Sequence, residues 1–493
     1  MKKKQIAKAV AFLLLLTIVL TELTHIFVPK WITGTSVTSV TDEFYDQKRD
    51  TIEVGIIGSS QLVNGISCGR LLEKYGISAF SLATGEQPVL CGLFYLMELE
   101  RLQHVKAVIF DTSMLYEVEE EVRFRKTIDS APMSINKIRL ILERGRSDEA
   151  SNIFNYFFPL LNYHTRWTSL NKKDFGYEGM NTEVFWGNIY GGEVNRKADY
   201  EKICVDNEAP DETVQMVPSE LAAFRKIVEF CQKKDIELIL IKTPKTTWEN
   251  AKTLGCQALA DEYALPYLDF NRGALLQEIG FDVGNDMWNK DHMNVRGADK
   301  LTDYMGEYLL SHYEFEDFRE SPDFDEEKME SFRNNHANKF LQTSIRVPEY
   351  LTLLQEERFE IMLQKTGDFS AGWDDALQQQ IEQLGIMTDL STLDGQFYAA
   401  QLRDDTAVCE SVSAEPFEVV YTLADENDGA VRSDAQSDPI MAVSGRKIPF
   451  SQRGLNVVVY DKVNHNVADI ATIFVNEAGA LDIAHDIKMA EEQ

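Results

Sequence analysis

The sequence predicts an α/β protein with a doubly wound parallel sheet, followed by a smaller α+β or mostly β domain. Three observations support this prediction. Short apolar runs typical of buried strands alternate with helical patterns between residues 51 and 315. The first of these runs end on glycine or polar residues, as strands do at the edge of a sheet. Hydrophobic residues make up 44% of the 493-residue chain, which is enough for a large core.

Five segments carry the strand pattern of the predicted sheet, with helical patterns between them. Strands joined through helices run parallel, so their carboxyl ends meet at one edge, where ligands bind in such sheets. The strand segments are TIEVGIIGSS, ISAFSLA, VKAVIFDTS, IELILIKTP and LPYLDFN. The polar or small residues at the ends of the first three are Ser59, Ser60, Gly85 and Asp111.

The amino terminus has the pattern of a membrane segment. Lysines precede an uncharged apolar stretch from Ala9 to Thr21. Its length suits a signal peptide, but no small-x-small cleavage site follows, and apolar character continues to Val28. Residues 1–30 are therefore predicted to be an uncleaved signal anchor, with a removed signal peptide as the alternative. The anchor makes the chain a single-pass cell-membrane protein with its bulk outside the cytoplasm and the lysines inside.

The composition excludes several classes of function. Lys and Arg number 49 against 80 Asp and Glu, which gives a formal net charge of −31. A surface this acidic repels nucleic acid, so no nucleic-acid partner is expected. The six cysteines show no CxxC spacing, and the chain has no P-loop. We therefore expect no metal, nucleotide or other cofactor.

The remainder of the chain divides by composition. Residues 31–50 are predicted to be a polar stalk, 51–315 the α/β domain, 316–346 an acidic linker that is helical in part, and 347–493 the second domain. Residues 117–208 lose the strand-helix alternation and are rich in aromatics, which fits either an insertion over the site or an extension of the core. In the second domain, RFEIMLQKT and GLNVVVYDK have the strand pattern, and WDDALQQQIEQLG is a helix that ends at Gly385.

Two adjacent serines follow the first predicted strand, in VGIIGSSQLVNG. A serine at a helix amino terminus has its hydroxyl beside backbone N–H groups that stabilise a developing oxyanion, so Ser60 is a candidate nucleophile. The alternative is that the serines only cap the helix, as serine commonly does. The segment lacks the GxSxG spacing of the nucleophile elbow.

A serine nucleophile needs a base within hydrogen-bond reach. His292, in NKDHMNVRGADK, lies on a loop after the last strand of the sheet and just before a helix, which places it at the same sheet edge. His164 is the rival within the α/β domain. It lies in NYHTRW together with Arg166, and a substrate-binding or structural role fits this pair better.

These motifs resemble the SGNH/GDSL hydrolase superfamily. The resemblance depends on Gly-Ser-Ser after the first strand, LATGEQP after the second, and the block from His292 through Asn294 to Gly297-Ala298. Within this superfamily, the chain is most similar to the membrane-anchored branch that includes the D-alanyl transfer protein DltD and the alginate O-acetylation proteins. The segments IKTPKTTW and YHTRW also resemble sequences of that branch. The resemblance covers residues 52–313 and implies a flavodoxin-like sheet of SGNH type.

The resemblance implies a role for several residues. Ser60 is the nucleophile and His292 the base, and the Gly85 amide donates to the oxyanion beside the Ser60 amide. Ser59 stands where many members have Asp. A third oxyanion donor has no clear match, although the segment that starts at Asp111 occupies a suitable strand end.

The sequence departs from the family at the catalytic acid. The family places this acid three residues before the histidine, where this chain has Asn289. Asp291, which is adjacent to His292, or Asp286 further back are candidates to replace it. Without such a replacement, the site would work as a Ser-His dyad, or it would be slow or inactive.

The second domain resembles the interleukin-like EMT inducer domain. The features are a strand followed by an Asp/Ser loop, a helix that ends in Leu-Gly, and a late Gly-x-Asn-x-x-x-x-Asp strand within residues 347–482. The resemblance implies carbohydrate recognition. Trp373 and Tyr398 are candidate sugar platforms, with burial in the core as the alternative for each.

Together these features predict an extracytoplasmic serine acyltransferase or acetylesterase that modifies a cell-envelope or exported polysaccharide by O-acetyl transfer. The resemblance implies a polysaccharide or glycan as acceptor and a membrane-bound acyltransferase as the supplier of acetyl groups. Two different functions also fit the sequence. One is a non-catalytic glycan-binding or scaffold protein of the envelope, and the second is a lipid esterase.

Overall fold

A computed structural model describes residues 2–30, 37–147, 153–175, 184–188, 203–206, 214–423, 428–433, 440–443 and 445–486. The chain divides into two compact units. Of the described residues, those up to Phe332 belong to the first unit and those from Arg333 onward to the second.

The first unit begins with a long apolar helix, α1 (Lys2–Phe27). Within Lys3–Phe27, an 18-residue window has a mean hydropathy of 2.2, and the helix is long and apolar enough to cross a membrane. A second helix, α2 (Val37–Asp46), occupies much of the segment predicted as a polar stalk. Phe44 of α2 is buried, with its ring centroid 5.4 Å from that of Phe80. This part of the stalk therefore packs into the first unit through its apolar face.

The core of the first unit is a five-stranded, all-parallel sheet in the order β2-β1-β3-β4-β5. The predicted mixed α/β class with a parallel sheet is confirmed. Every position of β1 is buried, as expected for a parallel strand covered on both faces. Sheet order reverses between β1 and β3, whose carboxyl ends lie side by side because Ile57 pairs with Phe110. The strands are β1 (Val54–Ile57), β2 (Ala79–Ser81), β3 (Ala107–Asp111), β4 (Glu237–Lys242) and β5 (Tyr267–Asp269).

Helices connect these strands at the positions that the sequence patterns predict. For example, Gly76 closes the helix Cys68–Tyr75 in the left-handed conformation, with φ of 71°. Besides α1 and α2, the helices of the first unit are α3 (Ser60–Val63), α4 (Cys68–Tyr75), α5 (Val89–Gln103), α6 (Glu121–Ser130), α7 (Ile135–Ser147), α8 (Phe154–Phe157), α9 (Leu160–Tyr163), α10 (Lys172–Phe175), α11 (Pro218–Lys234), α12 (Asn250–Tyr263), α13 (Gly273–Glu278), α14 (Val283–Asp286) and α15 (Val295–His312).

The aromatic-rich segment 117–208 is described in part. Its helices α6 and α7 pack on α5, and α9 and α10 pack on α1. Asn188 bridges the start of α4 and the loop before it, since it accepts the N–H of Cys68 and donates to the carbonyl oxygen of Ile66. These contacts extend the unit around the amino-terminal helices.

The segment predicted as an acidic linker is largely helical. Helix α16 (Glu326–Gln342) covers its second half, and the division between the two units falls within this helix, after Phe332. Met329 and Phe332 are buried and lie three positions apart, on one face of the helix. An acidic composition with such a spacing is typical of an amphipathic helix.

The second unit is a separate domain of antiparallel sheets, as its strand patterns predict. A six-stranded sheet has the order β15-β14-β13-β6-β7-β8, and a four-stranded sheet has the order β12-β11-β10-β9. Its complete helices are α17 (Val347–Leu353) and α18 (Asp375–Gln383). Its strands are β6 (Phe359–Lys365), β7 (Phe397–Arg403), β8 (Thr406–Ser413), β9 (Phe417–Thr422), β10 (Asp428–Ser433), β11 (Ile440–Val443), β12 (Arg446–Lys447), β13 (Leu455–Asp461), β14 (Asn466–Val475) and β15 (Leu481–His485).

The two candidate sugar platforms of the second unit belong to its hydrophobic core. Trp373 is 5% exposed and Tyr398 is fully buried. The Trp373 indole N–H donates to Gln378, and the Tyr398 hydroxyl donates to Glu410. Each polar atom is thus satisfied inside the protein, and neither ring presents a face for a sugar.

Candidate active site

The turn after β1 brings the two serines to the carboxyl edge of the sheet. Gly58 has φ of 146°, and a Cβ at this position would lie 2.5 Å from the Cβ of Asp111 at the end of β3. Only glycine allows this approach of β1 to β3 without displacement. Ser59 then caps α3 by accepting the N–H of Gln61 at 3.2 Å, and Ser60 is the first residue of the helix.

Asp111 holds Ser59 and not Ser60. Its buried carboxylate accepts the hydroxyl and the N–H of Ser59, and the hydroxyl of Ser113 at 2.7 Å. The Ser113 N–H also donates to it, at 3.0 Å. The two hydroxyls of the Gly-Ser-Ser motif therefore have different environments. Ser59 is a cap locked to Asp111, which leaves Ser60 as the serine turned toward a base.

The Ser60 hydroxyl lies 2.8 Å from Nε2 of His292, although 232 positions separate the two residues in the chain. The second ring nitrogen, Nδ1, lies 3.0 Å from Oδ1 of Asn289. That same oxygen accepts the N–H groups of Asp291 at 2.9 Å and His292 at 3.0 Å. Two backbone donors identify the atom as the amide oxygen, so Nδ1 carries the proton and Nε2 is free to accept from Ser60.

A small loop fixes the imidazole in this position. Met287 and Met293 form an antiparallel bridge, and the Trp288 N–H donates to the His292 carbonyl oxygen at 2.9 Å. Thr246, in the loop after β4, donates to the Lys290 carbonyl oxygen through both its N–H and its hydroxyl. The loop is thus closed on itself and tied to the carboxyl edge of the sheet.

The environment keeps His292 neutral. Burial lowers the pKa of its imidazole, and the positive charges of Lys245 and Lys242 lower it further, while the negative charge of Asp291 opposes them. Lys242 itself is fully buried at the end of β4, and burial lowers the pKa of its amine to about 8. Its Nζ donates to the side chain of Gln61 and to the carbonyl oxygen of Thr243. A neutral imidazole with an unprotonated Nε2 is the form that accepts a proton.

Backbone N–H groups without a partner in the described part of the chain lie in the turns after β1 and β2. They include those of Ser60 and of Gly85, which lies partly exposed in the turn after β2. This turn is tied to the Ser60 loop, because the Thr84 N–H donates to the Gly58 carbonyl oxygen at 2.9 Å. Gln87 adds a second tie, since its Oε1 accepts the Gly58 N–H at 3.1 Å and its Nε2 donates to Leu82.

The aspartates near His292 are engaged elsewhere. The Asp291 carboxylate accepts the Thr247 hydroxyl at 3.2 Å and pairs with Lys245 at 3.5 Å. Asp286 is buried and pairs with Lys300 at 2.7 Å. The place that the family resemblance gives to an acid is therefore held by the Asn289 amide, and Asp291 acts on the imidazole only through its charge.

Three further predicted residues have structural contacts. Asn294 caps α15 by accepting the N–H groups of Arg296 and Gly297. His164 donates from Nδ1–H to the Leu161 carbonyl oxygen at 3.0 Å, in a 3-10 helix that contacts α1. Arg166, in the same helix, donates to α1 and to Asp174.

Sequence reasoning missed Gln61, Gln87 and Lys242. The Lys242 amine contacts Gln61 directly, and Gln87 joins the turn after β2 to β1. The only sequence signal for Lys242 is a charged residue at the end of an otherwise apolar strand, which is an unusual residue to bury.

No family model matches the chain, and no curated protein matches it either. Within the described residues, no group of three or more His, Cys, Asp or Glu side chains is placed to hold a metal ion.

Proposed function

We propose that this protein is a membrane-anchored serine acyltransferase or acetylesterase of SGNH type, with Ser60 as nucleophile and His292 as general base. The observation that carries the proposal is the 2.8 Å contact between the Ser60 hydroxyl and Nε2 of His292, in the tautomer set by Asn289. A hydroxyl, an imidazole and a group that orients the imidazole are the parts of an activated serine.

In the first half-reaction, Ser60 attacks the carbonyl carbon of an acyl ester while its proton moves to Nε2 of His292. The resulting oxyanion is held by the N–H groups of Ser60 and Gly85, neither of which donates to another described residue. The bond between the acyl carbon and the leaving oxygen then breaks. The imidazolium returns its proton to that oxygen, and the acyl group stays on Ser60.

In the second half-reaction, an acceptor hydroxyl loses its proton to His292 and attacks the acyl-enzyme. The Ser60 oxygen leaves and recovers the proton from the imidazolium. A sugar hydroxyl as acceptor gives an O-acetylated glycan, and water gives free acetate. The same site thus supports both transfer and hydrolysis.

The amino terminus supports an extracytoplasmic location for this chemistry. Lysines at positions 2, 3, 4 and 8 flank the apolar part of α1, and basic residues stay on the cytoplasmic side of a span. The sheet domain would then face the cell envelope, where polysaccharides are the abundant acceptors. We include in the proposal a membrane-bound acyltransferase as the acetyl supplier and a glycan-binding role for the second unit, both from the family resemblances.

The test is acetyl release and transfer by the full-length protein in detergent. The probes are an aryl acetate, an aryl palmitate and a mixture of neutral oligosaccharides as acceptors. We expect acetate release to be lost in Ser60→Ala and to fall by about 10²–10⁴ in His292→Ala. Ser311→Ala, which removes an exposed hydroxyl on α15, is the matched control and should behave as the parent does. A clear preference for palmitate would favour a lipid esterase instead.

One observation favours a second candidate, a non-catalytic glycan-binding or scaffold protein. It is the amide of Asn289 in the position of the family acid, because an amide does not stabilise an imidazolium as a carboxylate does. This candidate predicts that parent and Ser60→Ala release acetate at the same background rate.

A further inference from the structure

The exposed aromatic side chains of the protein are concentrated in one short segment. Outside α1, every exposed phenylalanine or tryptophan among the described residues lies between positions 154 and 175. We define the aromatic patch as Phe154, Phe158, Leu161, Trp167 and Phe175, whose exposed fractions run from 56% to 70%. Large apolar side chains gathered in this way mark an interaction surface.

The segment that carries the patch packs on the carboxyl-terminal end of α1. Helices α9 and α10 and the 3-10 helix His164–Thr168 all contact α1. The Arg166 guanidinium donates to the Phe27 carbonyl oxygen at 2.5 Å and to Asp174 at 2.6 Å. Described α1 side chains are exposed as far as Leu23, and the residue after the helix, Val28, is buried. The contact is therefore confined to the end of the helix.

This position places the patch at the level where α1 leaves a membrane. Helix α1 has 26 residues, which corresponds to about 39 Å. The hydrocarbon core of a bilayer is about 30 Å thick, so a helix with its lysines in one headgroup layer reaches the opposite interface near its last turns. The segment contacts α1 at those turns.

We propose that the aromatic patch inserts into the interfacial layer of the bilayer that α1 crosses, so that the first unit is held on the membrane by two contacts. Tryptophan and other aromatic rings favour this layer because they combine an apolar face with a polar edge or an adjacent polar group. Lys172, in the last helix of this segment, is exposed, whereas Arg166 pairs with the buried Asp174. The contact that we propose is therefore chiefly apolar, made by the aromatic rings and not by attraction of the protein to phosphate headgroups.

This inference does not depend on the chemistry at Ser60. An anchor helix alone leaves a domain free to rotate about its tether, whereas a second contact fixes its tilt and height. The occupant that we assign to the patch is the lipid of the outer leaflet, because the segment that carries the patch contacts α1 at the end of its apolar stretch. Another protein or a second copy would be the alternative occupant.

The test measures how close Trp167 lies to lipid in the full-length protein. The protein is placed in phosphatidylcholine nanodiscs with or without lipids brominated near the top of the acyl chains, which quench nearby indoles. The difference between the emission of the parent and of Trp167→Phe isolates Trp167 from the other tryptophans. We expect bromination to lower this difference signal roughly two-fold or more, as for interfacial indoles.

The matched control is Leu310→Trp in the Trp167→Phe background. Leu310 is an exposed apolar residue of α15, 47% exposed, and α15 packs on α4 and α14. The indole introduced there should keep its emission in brominated discs. Equal quenching of Trp167 and this control indole would overturn the proposal. So would a protected Trp167 in a protein that is a dimer in detergent, because the patch would then be covered by a second copy.

Discussion

Nδ1 of His292 lies 3.0 Å from the side-chain oxygen of Asn289, and the same oxygen accepts the N–H groups of Asp291 and His292. An amide therefore orients the imidazole at a position where the resemblance to SGNH hydrolases leads one to expect a carboxylate. It fixes the tautomer but supplies no negative charge for the imidazolium. The geometry of an activated serine is present, but the imidazolium of His292 is stabilised less than it would be by a carboxylate.

Asn289→Asp should strengthen the proposed site. A carboxylate on Nδ1 raises the pKa of His292 and stabilises the imidazolium formed as Ser60 attacks. We expect acetyl release to rise roughly ten-fold and its pH midpoint to move upward. The measurement is the pH–rate profile of an aryl acetate with the full-length protein. Asn289→Leu, which keeps the volume and removes the acceptor, should be slower than the parent, and a slower Asn289→Asp would contradict this assignment.

Acylation of Ser60 should depend on a group that titrates below the ordinary histidine pKa. Burial lowers the pKa of His292 from 6.5, and only the neutral ring accepts the Ser60 proton. The rate should therefore rise as pH increases through this lowered pKa and stay level above it. The rate of fluorophosphonate labelling across the acidic range measures the midpoint. A midpoint above pH 6.5, or an unchanged profile in His292→Ala, would show that another group is the base.

Lys242 should tune this midpoint. Its amine is buried beside Gln61, and its positive charge lowers the pKa of His292. Lys242→Met removes the charge at similar volume, so the labelling midpoint should shift upward. Lys226→Met, which removes an exposed amine on α11, is the control and should leave the midpoint unchanged. A downward shift in Lys242→Met would contradict the electrostatic assignment.

Gln87 should keep the turn that contains Gly85 in place beside the turn that contains Ser60. Its side chain accepts the buried Gly58 N–H and donates to the Leu82 carbonyl oxygen, which joins the turn of Gly85 to that of Ser60. Gln87→Met leaves these groups without partners, at a cost of about 1–3 kcal/mol, and should lower both the unfolding temperature and the labelling rate. Gln257→Met makes the same chemical change at an exposed position of α12 and should alter neither. If Gln87→Met is labelled by the fluorophosphonate at the parent rate, Gln87 does not position the oxyanion site.

The approach of Ser60 to His292 could be predicted from the sequence because sheet topology dictates it. Apolar runs that alternate with helices give a parallel sheet, and the ends of its strands and the loop that follows the last strand meet at one edge. The alternation of apolar runs and helical patterns extends over the whole α/β domain, so the parallel direction of its strands can be predicted. The same apolar runs predict each strand of the sheet.

The partner of Nδ1 could not be predicted in this way. Asp291 and Asn289 are both close to His292 in the chain, and the choice between them depends on the turn closed by the bridge between Met287 and Met293. In that turn the Asn289 side chain faces the ring, and Asp291 faces Lys245. Such a choice is set by local hydrogen bonds and leaves no periodic pattern.

Composition is a poor guide to two connecting segments. Residues 31–50 and 316–346 are rich in polar and charged side chains, yet the structure forms α2 and α16 within them. A few apolar residues, such as Phe44 and Phe332, are enough to bury one face of each helix. The sequence leaves a substrate-binding or a structural role open for His164 and Arg166, and the structure places their helix against α1.

The most direct test of the central claim is to map the fluorophosphonate adduct on the full-length protein by mass spectrometry. The tryptic peptide of residues 50–70 contains both Ser59 and Ser60, and its fragment ions distinguish them. We predict a single adduct on Ser60 that forms at least ~10²-fold more slowly in His292→Ala. An adduct on Ser59 or on any other serine, or no adduct at all, would contradict the assignment of Ser60 and His292 as nucleophile and base.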